Sequence, residues 1–332
     1  MNPEPTPRRR RRAVRRYLRR VPLLPSLLTL GNAFCGFLAI VKATDAAQLV
    51  GDGQLTGAAL ATVETAGLLI FLAMVFDGLD GKVARLTHQT TEFGAQLDSL
   101  ADVVTFGIAP AVLAKFVINV HMAPRFENAE AWEVLPYHPK IYYLFAAFYV
   151  LFAVLRLARF NVEVRDPREK SHLEFDGLPS PAAATIIGSL ILFYCARNER
   201  NSISRLLFDD ERLYDWLVFA MPAMLLVVGL FMVSRLPYPH LLNRVLRGRK
   251  NFAHLVIAVV LLILFVLEWQ IVLFALSLLY LMSGPVLGVW RFVTGRRAPV
   301  FEDLDDDDEG DEFIELDENG AEAESGRDPG RA

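Results

Sequence analysis

Asp77-Gly78-Leu79-Asp80-Gly81-Lys82-Val83-Ala84-Arg85 is followed, eight residues later, by Gly94-Ala95-Gln96-Leu97-Asp98-Ser99-Leu100-Ala101-Asp102. On a helix, Asp77, Asp80, Gly81, Ala84 and Arg85 share one face, at offsets of three, four, seven and eight. Gly94, Asp98 and Asp102 form a stripe at offsets of four and eight. The link Leu86 to Phe93 is short, which predicts antiparallel neighbouring helices with two carboxylates from each facing one cleft. Both stretches lie in or beside long apolar runs. A carboxylate at the centre of a bilayer costs about 3 kcal/mol or more, so four together need a compensating charge, and divalent metal supplies it most simply.

Outward from this stretch, the chain reads as membrane protein. Of 332 residues, 53% are hydrophobic, and apolar runs of about 20 residues recur, each long enough for a hydrocarbon core of about 30 Å. The predicted fold is an all-α, polytopic transmembrane helix bundle. Eight spans are expected, near 23–43, 66–86, 94–120, 141–161, 180–197, 215–234, 252–268 and 270–291. The first six form a catalytic core and the last two a C-terminal hairpin split at Glu268-Trp269-Gln270. Residues 1–22 form a basic cytoplasmic or interfacial segment and 23–234 the core. A basic loop and the hairpin occupy 235–291, and 292–332 is an acidic tail expected to be disordered.

The net charge of −4 averages a head rich in Arg (Arg8 to Arg12, Arg15, Arg16, Arg19, Arg20) with a tail rich in Asp and Glu. Basic residues after spans four, six and eight join the head on one side. The expectation is a multi-pass protein of the inner (cytoplasmic) cell membrane with both termini in the cytoplasm. The basic head resembles the first part of a signal peptide, but no convincing cleavage site follows, so the first helix is expected to be retained. Asp305, Asp307, Glu309 and Gly310 brush a calcium-loop pattern, yet Leu316 stands where a bidentate Glu is required. Cys35 and Cys195 lie in apolar segments without His or a second Cys nearby, so no zinc site or disulfide framework is expected and both read as buried small hydrophobes. Membrane lipids are the expected surroundings, and no nucleic-acid partner is expected.

Four oxygen donors without His or Cys suit Mg²⁺ or Mn²⁺, ions that keep positions open for substrate phosphates. Gly81, Ala84 and Gly94 leave room for a ligand beside the backbone, and Arg85 offers a cation to a phosphate. Two metals and an arginine in one cleft read as phosphoryl transfer. Buried carboxylates also serve ion pathways, and small residues at four-residue spacing also pack helices. Neither alternative explains two acidic pairs, an arginine and three small residues in register.

The pattern resembles the signature of the CDP-alcohol phosphotransferase family, D-x2-D-G-x2-A-R-x8-G-x3-D-x3-D, with every fixed position matched: Asp77, Asp80, Gly81, Ala84, Arg85, Gly94, Asp98 and Asp102. The resemblance covers roughly 22–290. It implies that Asp77, Asp80, Asp98 and Asp102 bind two divalent ions on a CDP-lipid pyrophosphate and that Asp102 also deprotonates the incoming alcohol. Gly81, Arg85 and Thr91 would contact the CDP-lipid, as would Ser26 and Thr29, although Pro25-Ser26 departs from the family's Pro-Asn. A homodimer is implied as well.

Stretches such as Leu27 to Gly36, Ser99 to Ala111, Arg156 to Asn161 and Phe175 to Ala182 resemble the serine-using membrane branch of that family. The implied reaction joins CDP-diacylglycerol and L-serine to give phosphatidylserine and CMP. Serine carries a carboxylate, and Arg156, Arg159 and Asn161, near the end of the fourth span, are candidates to hold it. Another acceptor within the family, glycerol 3-phosphate or inositol phosphate, stays open. A cation transporter is the alternative from another class, but its acidic residues would be spread through the bilayer depth.

Overall fold

The computed structural model describes residues 23–51, 54–87, 91–128, 138–163, 175–198, 211–238 and 252–294. The basic head, most of the acidic tail and the basic loop after the sixth expected span lie outside these residues. Among the described residues the regular structure is helical, apart from two antiparallel pairs of two-residue strands.

Helix α1 (Leu23–Gln48) and helix α2 (Gly57–Leu86) are joined by strands β1 (Val50–Gly51) and β2 (Gln54–Leu55), with Val50 opposite Leu55. Thr56 ends this turn. Its hydroxyl donates to the Leu49 carbonyl at 2.7 Å and accepts from the Ala59 amide at 3.2 Å, capping α2. Helix α2 thus starts nine residues earlier than expected. α1 and α2 meet along Ala39, Ala43 and Ala46 on one side and Ala59, Val63, Ala66 and Ala73 on the other, all buried. Small side chains let the backbones approach closely, which drives helix association where no hydrophobic effect operates.

Thr91 caps helix α3 (Glu92–Asp102), its hydroxyl accepting from the Gly94 amide at 3.1 Å. A π-helical segment, Val103–Ile108, follows, and helix α4 (Ala109–Asn128) completes the span. Two side chains brace the π segment. Tyr149 donates to the Phe106 carbonyl at 3.0 Å, and the Thr105 hydroxyl donates to the Asn32 carbonyl at 3.1 Å. Gly36 of α1 crosses here, and a Cβ on it would stand 2.8 Å from the Thr105 Cα, so only glycine fits.

Helix α5 (Pro139–Glu163) leads to strand β3 (Phe175–Asp176) and helix α6 (Ser180–Cys195). Gly177, with φ +96°, turns the chain between them. Helix α7 (Glu211–Val233) is followed by strand β4 (Pro237–Tyr238), which pairs with β3. α6 is buried on nearly every side, from Ala183 to Cys195 with few breaks. At 16 residues it is about 24 Å long. Other helices shield it from lipid, so an all-round apolar sequence suffices.

Six helices among the described residues are long and apolar enough to cross a membrane, and the chain is a multi-pass membrane protein. The expected C-terminal pair takes the form of one helical run, α8 (Phe252–Thr294), interrupted at a single residue, Glu268 (φ −144°, ψ 60°). The break falls inside the Glu268-Trp269-Gln270 split expected between the last two spans, and α6, expected as a span, is short and buried. Beyond the break, Gln270 donates to Glu64 of α2 at 2.9 Å, a polar tie within the apolar bundle.

Candidate active site

The aspartates converge between the C-terminal part of α2, which carries Asp77 and Asp80, and the second half of α3, which carries Asp98 and Asp102. Asp77, Asp98 and Asp102 each offer a carboxylate oxygen, and these oxygens lie within 4.8 Å of one another. Asp80 stands beside this trio, near enough to Asp77 and Asp98 to interact with their charge. Its Oδ2 is held instead by the Thr29 hydroxyl of α1, which donates at 2.8 Å. The four-carboxylate cluster expected from spacing is thus three oxygens together and a fourth drawn toward α1.

The expected side-by-side pairing of α2 and α3 is also modified. Those two helices pack only loosely on each other, while α1 packs against both. The carboxylates meet where α1 packs against both helices.

Carboxylates this close, largely buried, repel one another strongly. Asp98 Oδ1 is buried with no hydrogen-bond partner. A partnerless carboxylate oxygen next to two more suits a cation, since buried oxygens otherwise find donors. All the donors are hard oxygens, so the set fits a divalent ion of the Mg²⁺ or Mn²⁺ type. The three aspartates could therefore bind a metal.

Around this centre, α1 supplies residues that spacing alone does not flag. Asn32, fully buried, donates from Nδ2 to Asp102 Oδ1 at 3.3 Å. Its register on α1, three residues beyond Thr29, would have placed both on one face. Ser26 lies one turn before Thr29 and is 8% exposed, and its hydroxyl is buried without a partner.

The remaining candidates divide. Gly81 faces open space, with nothing within 4 Å of where a Cβ would be. Arg85 is exposed and donates from Nε to the Gly81 carbonyl at 3.2 Å. Thr91 is the cap of α3, and this duty occupies its hydroxyl. Arg156 of α5 donates from Nη1 to the Ser180 hydroxyl at the start of α6. Asn161 is tied to Ser99, donating at 3.0 Å, and so braces α3 one residue after Asp98. Arg159 is partly exposed on the same helix. Of the three candidates for the carboxylate of an amino acid, Arg156 is anchored to the start of α6 and Asn161 to α3 beside Asp98.

Residues 22–233 match the family model described as CDP-alcohol phosphatidyltransferase. A CDP-diacylglycerol–serine O-phosphatidyltransferase of Helicobacter pylori is 29% identical over 218 residues, 66% of this chain and 72% of that protein. One from Saccharomyces cerevisiae is 36% identical over 174 residues, 51% of this chain and 53% of that protein. An archaetidylserine synthase of Methanothermobacter thermautotrophicus is 35% identical over 171 residues, 51% of this chain and 58% of that protein.

Proposed function

We propose that this chain, which belongs to the CDP-alcohol phosphatidyltransferase family, transfers the phosphatidyl group of CDP-diacylglycerol to the hydroxyl of L-serine, giving phosphatidylserine and CMP. The observation that carries this reading is the meeting of Asp77, Asp98 and Asp102 oxygens within 4.8 Å at one end of the bundle, on the spacing of the family signature. The relatives' names support serine as acceptor. They agree on serine while differing in the lipid, phosphatidyl in two and archaetidyl in the third.

Asp77, Asp80, Asp98 and Asp102 are the residues that would hold two divalent ions. Such ions, when bound, offset the pyrophosphate's negative charge and that of the departing CMP. Ser26, Thr29, Gly81, Arg85 and Thr91 line the CDP-lipid site, with Arg85 as an exposed cation. Arg156 holds the serine carboxylate, a match between guanidinium and carboxylate geometry. Asp102 takes the proton of the serine hydroxyl as general base. The serine oxygen attacks the lipid-side phosphorus, a new P–O bond forms, the bond to CMP breaks, and CMP leaves with the electron pair. Asn32 fixes the orientation of the Asp102 carboxylate through its hydrogen bond.

The basic loops support a cytoplasmic location for this end and for both termini, in the inner membrane. A homodimer belongs to the same reading. Purified protein assayed with CDP-diacylglycerol, Mg²⁺ or Mn²⁺ and a panel of serine, glycerol 3-phosphate, inositol phosphate and glycerol tests it. CMP release with serine alone is the expected result. Release with a phosphorylated acceptor and none with serine would overturn the acceptor assignment.

A further inference from the structure

Two of the helices long enough to cross a membrane finish beside each other, one at Val233 and one at Arg291. Strand β4 follows the first, and the last turns of α8 lie on it. Gly284 and Gly288 face the strand. A Cβ on Gly284 would run into the Tyr238 ring, and one on Gly288 would stand 3.1 Å from Cδ2 of Leu236. Pro285 has no N–H for the Leu281 carbonyl, four residues back. Tyr238 supplies the missing donor, its hydroxyl reaching that carbonyl at 3.3 Å. The strand is in turn fixed to the core, since the Leu236 carbonyl accepts from the Gly177 amide at 2.9 Å.

Beside this seat lies an open cavity of ≈ 490 Å³, a usual size for a small-molecule site. Leu236, Pro237, Pro285 and Val289 make its walls apolar, and Arg235 and Arg291 line it as cations. None of the described residues that line it is acidic. All of them lie beyond residue 233, outside the family match. Arginines at helix ends commonly do no more than stretch toward water. Here two of them, from different elements, share one apolar hollow. Both sit where the hydrocarbon core gives way to lipid phosphates, because one comes two residues after a span ends and the other is the last residue of a span. A guanidinium takes a phosphate through paired N–H donors. Basic pockets between membrane helices suit anionic headgroups for this reason. The apolar walls decide between a lipid and a soluble anion, since only a lipid brings carbon to cover them.

We propose that this cavity is a binding site for an anionic phospholipid: Arg235 and Arg291 hold its phosphate, the apolar walls cover its glycerol and upper acyl chain, and the lipid clasps α8 to β4. The site shares no residue with the aspartate cluster and stands whichever acceptor the transferase uses.

The test is a titration of the full-length protein in dodecyl maltoside with dioleoyl phosphatidylglycerol, dioleoyl phosphatidylcholine or inorganic phosphate. The readouts are the melting temperature and the lipid retained in native mass spectrometry. Phosphatidylglycerol should raise the melting temperature at concentrations where the other two do not. A cation near an anionic headgroup is worth roughly fivefold in affinity. Arg235→Gln and Arg291→Gln should therefore each weaken phosphatidylglycerol binding about fivefold, and together about 25-fold, while Arg235→Lys keeps most of it. The difference between parent and variant separates this cavity from other lipid contacts. Phosphatidylglycerol binding by Arg235→Gln equal to that of the parent would overturn the proposal. So would equal stabilisation by phosphatidylcholine, or by inorganic phosphate, which would mark a site for free anions. Arg235 is exposed, so its replacement spares the fold, and the single variant decides the matter even if Arg291→Gln does not fold.

Discussion

Removing the Thr29 hydroxyl should weaken metal binding without touching a metal ligand. Thr29 Oγ1 has one proton and two acceptors in range, Asp80 Oδ2 at 2.8 Å and the Pro25 carbonyl at 3.1 Å. The proton goes to the carboxylate, since a hydrogen bond to an ionised acceptor is the stronger one. Thr29 is 4% exposed and Asp80 6%, so water cannot replace the donor. Thr29→Val keeps the shape and deletes the bond. A hydrogen bond to a charged group contributes about 1.5–3 kcal/mol, equivalent to roughly 10- to 150-fold in an equilibrium constant. Loss of a residue that orients a metal ligand typically lowers metal affinity about 10- to 100-fold, the same range. The assay is CMP release against free Mg²⁺ at saturating CDP-diacylglycerol and serine. Half-saturating Mg²⁺ should rise by that factor in Thr29→Val, excess Mg²⁺ should restore most of kcat, and Thr29→Ser should resemble the parent. An unchanged Mg²⁺ requirement in Thr29→Val would refute the reasoning. If the KM for CDP-diacylglycerol rose instead, the hydroxyl would serve the nucleotide.

Asp102→Asn, close to the original in shape, should lower kcat by about 10²- to 10⁴-fold, the usual contribution of a general base, while CDP-lipid binding by isothermal titration persists. Chelation of divalent ions should abolish CMP release, with recovery on addition of Mg²⁺ or Mn²⁺ and a thermal transition that rises when either ion is added back. Gly36→Ala forces α1 away from the π segment, since its Cβ would stand 2.8 Å from a backbone carbon. Overpacking of this kind costs about 1–3 kcal/mol, to be read as a lower melting temperature in detergent together with reduced activity.

Much of this site could be read from the chain because it depends on local spacing. The positions of Asp77, Asp98 and Asp102 follow from helical periodicity alone, and their convergence needs only a short link between two helices. The exception is Asp80. Its partner Thr29 is 51 residues away on α1, and periodicity within α2 carries no record of it. Asn32 escaped for the same reason, since its bond to Asp102 spans 70 residues. Thr91 was legible as a residue but not as a cap, because the start of α3 depends on where the chain after Leu86 turns. The number of spans was harder still. α6 has the composition of a span but owes its stability to burial among its neighbours, and a hydropathy profile cannot distinguish lipid from protein. At Glu268 a charged residue in an apolar run marked the break in α8 correctly, because a buried carboxylate seldom sits in such a run without structural cause.

The π segment Val103–Ile108 gives one span two independent phases. It holds more backbone per turn than the helices on either side, in effect one inserted residue. Upstream, the phase aims Asp98 and Asp102 at Asp77 of α2. Downstream, it aims Leu113, Val117 and Ile118, all fully buried, into the bundle. Were one residue lost between 103 and 108, an unbroken α-helix would form and everything beyond it would swing by about 100°. The packing face would then point to lipid while the acidic stripe kept its aim. Chemistry at one end of this span and assembly at the other can therefore drift in sequence separately, provided the insertion between them is kept.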